Sequence, residues 1–131
     1  EEETNMKINE IFTKKGEFFF RNLEEKITLK LLGSYNTIIS LGGGAFINNK
    51  IRKEVTKNNL SFWLNWNAYT LLNRIKKNKK RPIAFNLSET KLMELITNRS
   101  KTYSKAKFKI NCQKLSKLEI AKKIIKLYEK N

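Results

Sequence analysis

The sequence predicts an α/β protein of three layers, a parallel sheet with helices on both of its faces. Two observations predict it. Short apolar runs alternate along the 131 residues with segments whose apolar side chains recur at helical spacing, and that alternation is the mark of strands joined by crossover helices. No run of about 18 apolar residues occurs, and no repeat or low-complexity linker breaks the pattern, so the apolar residues are expected to face one soluble core.

The elements follow in order. Ile8, Ile11 and Phe12 open a helix, and Gly16 interrupts it. Phe19, Phe20, Leu23, Ile27, Leu31 and Leu32 then continue an amphipathic pattern as far as Gly33, a natural helix stop. Residues 37–41 form the first predicted strand. A helix is expected over 49–57, a second strand over 60–64, and a helix capped by Asn67 that runs to about 77 with Leu71, Leu72 and Ile75 inward. The stretch KKNKKRPIAFNLS, residues 76–88, is charged, holds the one proline and has no sustained period, so it reads as a loop. Ser88 caps the next helix, with Leu92, Leu95 and Ile96 on its apolar face. Residues 107–111 alternate as a strand. SKLE, residues 116–119, is a capping box, opening a last helix with Leu118, Ala121, Ile124, Ile125 and Tyr128 on one face.

Composition narrows the chemistry. Histidine is absent, which excludes His-bearing zinc sites and any Ser-His or Cys-His pair. Cys112 stands alone, so no internal disulfide forms, in keeping with a reducing compartment. The net charge is +16, and all 12 acids are glutamate. Such a balance admits non-specific contact with nucleic acid, but the lysines are spread along the chain and mark no particular groove. The start, EEETN, is neither a signal nor a transit peptide. Three of the five glycines, Gly42, Gly43 and Gly44, follow directly on the first predicted strand. A tight turn would explain them. So would a ligand lying against bare backbone at the C-terminal end of a strand, where open α/β sheets bind their ligands.

Four pieces of the chain, in order, resemble the shikimate kinases, members of the nucleoside-monophosphate-kinase-like P-loop group. INEIFTKKGEFFFRNLE, residues 8–24, fits the pattern I-x-x-I-F-x-x-x-G-E-x-x-F-R-x-x-E. SLGGGA spans residues 40–45. RPIA at 81–84 stands where the family has Arg-Pro-Leu-Leu, and NRSKTY at 98–103 where it has Arg-x-Pro-x-Tyr. The resemblance covers essentially the whole chain and implies a P-loop kinase fold, with residues 1–131 a partial shikimate kinase domain and a lid at about 76–88. It implies that Arg21 and Arg99 grip the shikimate carboxylate with guanidinium forks, and that Gly42, Gly43 and Gly44 lie against the substrate. Phe12, Glu17 and Phe20 would line the pocket. Arg81 would bring the lid onto the ATP phosphates, and Lys114 would lie at the adenine loop. The implied reaction moves the γ-phosphoryl of ATP to the 3-hydroxyl of shikimate with Mg²⁺, in a cytoplasmic monomer of the aromatic amino acid pathway. Independently of that resemblance, Arg21, Arg81 and Arg99 are three of only five arginines in a chain with 23 lysines, which fits positions where the planar fork matters. Arg52 and Arg74 are expected to be plain surface residues.

The chain also departs from the family. It contains no G-x-x-x-x-G-K-[ST] and no aspartate, so neither the phosphate cradle nor the family's candidate base is present, and no catalytic or metal-binding residue is assigned. The expectation is an N-terminally truncated chain lacking about forty residues, one unit of two strands and a helix, and inactive by itself. Asn5, Ala84 and Lys101 replace the family's Gly, lid Leu and Pro. A non-catalytic kinase-like paralogue and, less favoured, a basic nucleic-acid-binding module are the other function classes the sequence leaves open.

Overall fold

A computed structural model describes residues 1–77 and 87–131. The chain divides into two compact units, Glu1–Lys57 and Asn58–Asn131.

The first unit is helical. After a short 3-10 turn at Glu2–Thr4, helix α1 runs Ile8–Leu32, followed by a second 3-10 turn at Ala45–Ile47 and helix α2, Asn49–Asn58. Glu10 fastens the start of α1 by accepting the Lys7 backbone N–H at 2.9 Å. The interruption expected at Gly16 is real. Its backbone sits at φ 83, ψ 169, which kinks α1 there. The kink brings together side chains that a straight helix would hold apart. Eight residues of straight helix separate two side chains by about 12 Å along the axis, yet the rings of Phe12 and Phe20 lie 4.5 Å apart, centroid to centroid. The buried side chains of this unit are Ile11, Thr28, Leu32, Ala45, Phe46, Ile51 and Val55.

The second unit carries the sheet. Strand β1, Phe62–Asn65, leads into α3, Ala68–Lys77, and α4, Glu89–Tyr103, leads into β2, Phe108–Asn111, and α5, Lys117–Tyr128. The two strands are parallel, with Phe62 opposite Phe108 and Asn65 opposite Asn111. Parallel pairing requires a crossover between them, which α3 and α4 provide. Caps fall where the residue types predict. Asn67 Oδ1 accepts the Thr70 N–H at 2.7 Å, Ser88 caps α4, and Ser116 and Glu119 form a reciprocal box at the start of α5. Leu72, Leu92 and Ile96 form one apolar cluster, and Ile110, Cys112 and Ile120 form another against Phe62, Trp66, Leu115, Ile124 and Leu127.

Two expectations change. Residues 37–41 carry no regular secondary structure and are not a strand. Among the described residues no neighbouring strand pairs with them, and Ile38 is 98% exposed. A β-branched apolar run favours extended backbone, but only pairing makes it a strand. In α5 the inward side is Ile120, Ile124 and Leu127, while Leu118, Ile125 and Tyr128 are exposed. Apolar residues cover about half of that helix, so the period alone does not say which part of the arc meets the core.

Candidate functional site

In the first unit the predicted residues converge on one guanidinium. Arg21 lies on α1, with Glu17 one turn before it and Glu24 three residues after. Its Nη1 donates to Glu24 Oε2 at 2.6 Å, and its Nε and Nη2 donate to Glu17 Oε1 at 3.3 and 3.4 Å. The guanidinium also lies 5.2 Å from the centre of the Phe20 ring, which is itself packed against Phe12. Helical spacing alone brings Glu17 and Glu24 to Arg21. The Gly16 kink is what adds Phe12.

The glycine loop comes to the same group. A Cβ built on Gly44 would stand 2.4 Å from Arg21 Nη1 and 2.9 Å from Arg21 Cζ. Any side chain there would drive the guanidinium away. The backbone of Gly44 is itself ordinary, at φ −105 and ψ −24. The two explanations for the triplet thus separate. A turn is present, since Ala45 N donates to Gly42 O at 3.1 Å. What demands glycine at position 44 is the closeness of Arg21. Gly42 is less constrained, with the nearest atom to its Cβ being Glu24 Oε1 at 3.5 Å. Gly43 is exposed.

The loop leaves toward α2 through a second set of polar contacts. Asn48 Oδ1 accepts the backbone N–H groups of Lys50 and Ile51 at 2.9 and 3.2 Å, while its Nδ2 donates to Glu25 Oε2 at 2.7 Å. Lys50 Nζ donates to the other Glu25 oxygen at 2.7 Å. These bonds, from Lys50 first and then Asn48, hold the Glu25 carboxyl below its ordinary value of 4.5. Arg52 is not a plain surface residue. Its Nη1 donates to the carbonyls of Phe46 and Ile47 at 3.2 and 2.8 Å, and its Nη2 to Asn49 Oδ1 at 3.0 Å. Arg74 likewise has a partner, stacking 3.8 Å from the centre of the Trp66 ring.

Two of the remaining predicted residues belong to the second unit. Arg99 is half-buried on α4 of the second unit and has no ion-pair partner among the described residues. Lys114 is exposed in the turn after β2, with left-handed backbone at φ 64. Arg81 and most of the expected lid fall outside the described residues. Sequence reasoning passed over Glu24, Glu25 and Asn48. For Glu24 the signal was present, a carboxylate three residues from Arg21 on a helix. Asn48 is 23 residues from Glu25, and no local pattern reveals that pair.

A family model described as shikimate kinase matches residues 1–129. The chain belongs to the shikimate kinase family. It is 37% identical over 128 residues to a shikimate kinase of Bartonella henselae, covering 96% of this chain and 60% of that protein. To a shikimate kinase of Thermodesulfovibrio yellowstonii it is 34% identical over 131 residues, covering 99% of this chain and 76% of that one. The chain thus spans about three-fifths of its Bartonella relatives. Two solved shikimate kinases share its fold. One, from Acinetobacter baumannii in complex with shikimate, has a TM-score of 0.88 at 26% identity, covering 99% of this chain and 74% of that one. The other, from Bacteroides thetaiotaomicron, has a TM-score of 0.75 at 26% identity, with coverage of 98% and 76%. The predicted fold class, helices with a parallel sheet of the P-loop kinase type, is therefore the one this shikimate kinase family member adopts. Among the described residues no group of three or more His, Cys, Asp or Glu is placed to hold a metal ion. No helix among them is long and apolar enough to cross a membrane.

Proposed function

We propose that this chain is the shikimate-binding part of an ATP-dependent shikimate kinase, which phosphorylates the shikimate 3-hydroxyl in the cytoplasm as a monomer. The observation that carries this reading is the approach of Gly44 to Arg21. A planar cation lies against bare backbone, backed by an aromatic ring, and that arrangement suits a flat hydroxylated carboxylate better than a bulky or apolar ligand. The Acinetobacter relative solved with shikimate supports the choice of ligand.

In this reading each residue acts through its own chemistry. Arg21 and Arg99 take the substrate carboxylate. Gly42, Gly43 and Gly44 leave room for the ring to reach the backbone, and Phe12, Phe20 and Glu17 shape the wall. Arg81, in a lid at about 76–88, counters charge on the transferring phosphoryl group, and Lys114 lies beside the adenine. ATP is the second substrate. The 131 residues contain no phosphate-cradling string, so no transfer step is assigned to any of them.

Calorimetric titration of the chain with shikimate tests the reading. Arg21→Lys keeps the charge but loses the fork, and binding is expected to weaken by about tenfold or more. Equal affinity in Arg21→Lys and the parent chain would remove Arg21 from the site. No heat with the parent chain would overturn the assignment of shikimate binding to these residues.

A further inference from the structure

We infer that Glu25 and Asn48 are positioning residues for the Arg21–Gly44 contact, a role that rests on the shikimate reading only in its effect on affinity. Glu24 and Glu25 are neighbours on α1, and their carboxylates do different work. Glu24 holds the guanidinium of Arg21 at 2.6 Å, and Glu25 holds Asn48 at 2.7 Å, four residues after Gly44. Between Gly42 and Asn48 the chain is a continuous run of turns, with Ala45 N bonded to Gly42 O, Ile47 N to Gly44 O and Asn48 N to Ala45 O, each at 3.1 Å. A short stretch of bonded turns transmits position. Fixing Asn48 to α1 therefore fixes how near Gly44 comes to a cation on the same helix. On the other side of the glycines, residues 37–41 carry no regular secondary structure and pair with no described strand, whereas the exit is bonded to α1 through Asn48. The Glu25 carboxylate is bound at both oxygens, by Asn48 and by Lys50, which favours a single orientation.

Asn48 has two tasks that substitution can separate. Its Oδ1 caps α2, and its Nδ2 ties the loop to Glu25. Asn48→Asp keeps the cap, because aspartate is as good an N-cap as asparagine, and sets a carboxylate against Glu25. Glu25→Gln combined with Asn48→Asp reverses donor and acceptor and restores one hydrogen bond. The measurements are amide hydrogen exchange at Ala45 and Ile47, the chemical shifts of the Gly44 amide and Arg21 Nε–H, and the shikimate dissociation constant. In Asn48→Asp we expect about tenfold faster exchange at both amides, displaced shifts at Gly44 and Arg21, and about tenfold weaker binding, with recovery of all three in the double variant. Unchanged exchange and shifts in Asn48→Asp would overturn the inference whatever shikimate does. Altered exchange and shifts with unaltered affinity would overturn its bearing on the substrate. Altered exchange and shifts in a chain whose parent form binds no shikimate would support the positioning role and defeat the functional reading instead.

Discussion

Gly16 sits at φ +83 with open space where a Cβ would stand, whereas Gly44 has an ordinary right-handed backbone and no room for one. Both lie in the first unit, 28 positions apart in the sequence. One is glycine for the shape of the chain and the other for what lies beside it. Replacement of the first strains the fold. Replacement of the second moves a neighbour, and the atom it moves is the end of a flexible arginine, so the fold gives way cheaply while the arginine leaves its place. The two positions thus separate a stability effect from a recognition effect within a single helix and loop.

The largest expected effect breaks the contact itself. Gly44→Ala is predicted to weaken shikimate binding by between about tenfold and a hundredfold, the loss expected when a charged hydrogen bond is misaligned. The midpoint of urea unfolding should hardly move. Gly42→Ala is the comparison, because its Cβ meets Glu24 only at ordinary contact distance and leaves Arg21 in place, so its titration should lose less than that of Gly44→Ala. Equal losses in the two variants would mean that the triplet is needed for flexibility and not for room at Gly44.

Gly16→Ala should show the opposite signature. An L side chain at φ 83, ψ 169 costs about 1–3 kcal/mol, visible as a lower urea midpoint with an unchanged slope. Since the kink also sets Phe12 against Phe20, a several-fold loss of affinity should accompany it, smaller than that of Gly44→Ala. An Ala variant as stable as the parent would show that the kink is not required for folding.

The smallest effect sharpens the comparison at the level of the units. Three carboxyls sit below their ordinary value of 4.5. Glu10 is lowered by the Lys7 backbone and then by the charge of Lys14, and Glu25 by Lys50 and Asn48. Glu119 is lowered by the backbone and side chain of Ser116. A carboxyl depressed in the folded state adds stability above its unfolded value, and that stability is lost as the pH falls through the folded one. Two of the three lie in Glu1–Lys57. Between pH 5 and about 3, amide exchange corrected for intrinsic rates should therefore rise by more in that unit than in Asn58–Asn131. Equal loosening of both units would argue against a local cause.

Legibility in the sequence tracks how local each determinant is. The caps Asn67, Ser88 and Ser116 were readable, because a cap acts within three residues. Helix α2 was placed within one residue of its end. The Gly16 interruption was readable, but its geometric result, two rings eight residues apart brought to 4.5 Å, was not. The strand expected at 37–41 failed because pairing is not a property of the run itself. The inward arc of α5 failed because its apolar residues cover more than the core uses. Arg21 and the glycines were expected from their motifs, and the structure brings Gly44 against Arg21. The reason they meet depends on Glu25 and Asn48, residues whose types are common and whose separation carries no period. Arg52 was discounted because a guanidinium bound to backbone carbonyls leaves no pattern in a sequence.

Cys112 gives the second unit a built-in reporter. It is the only cysteine of the chain, fully buried with Ile110 and Ile120, and desolvation pushes its thiol above the ordinary value of 9.0. A thiol that is both covered and protonated does not react with alkylating reagents until the structure around it opens. The rate of labelling at this single sulfur therefore times the opening of the β2–α5 cluster, in an otherwise unmodified chain and without a fluorophore.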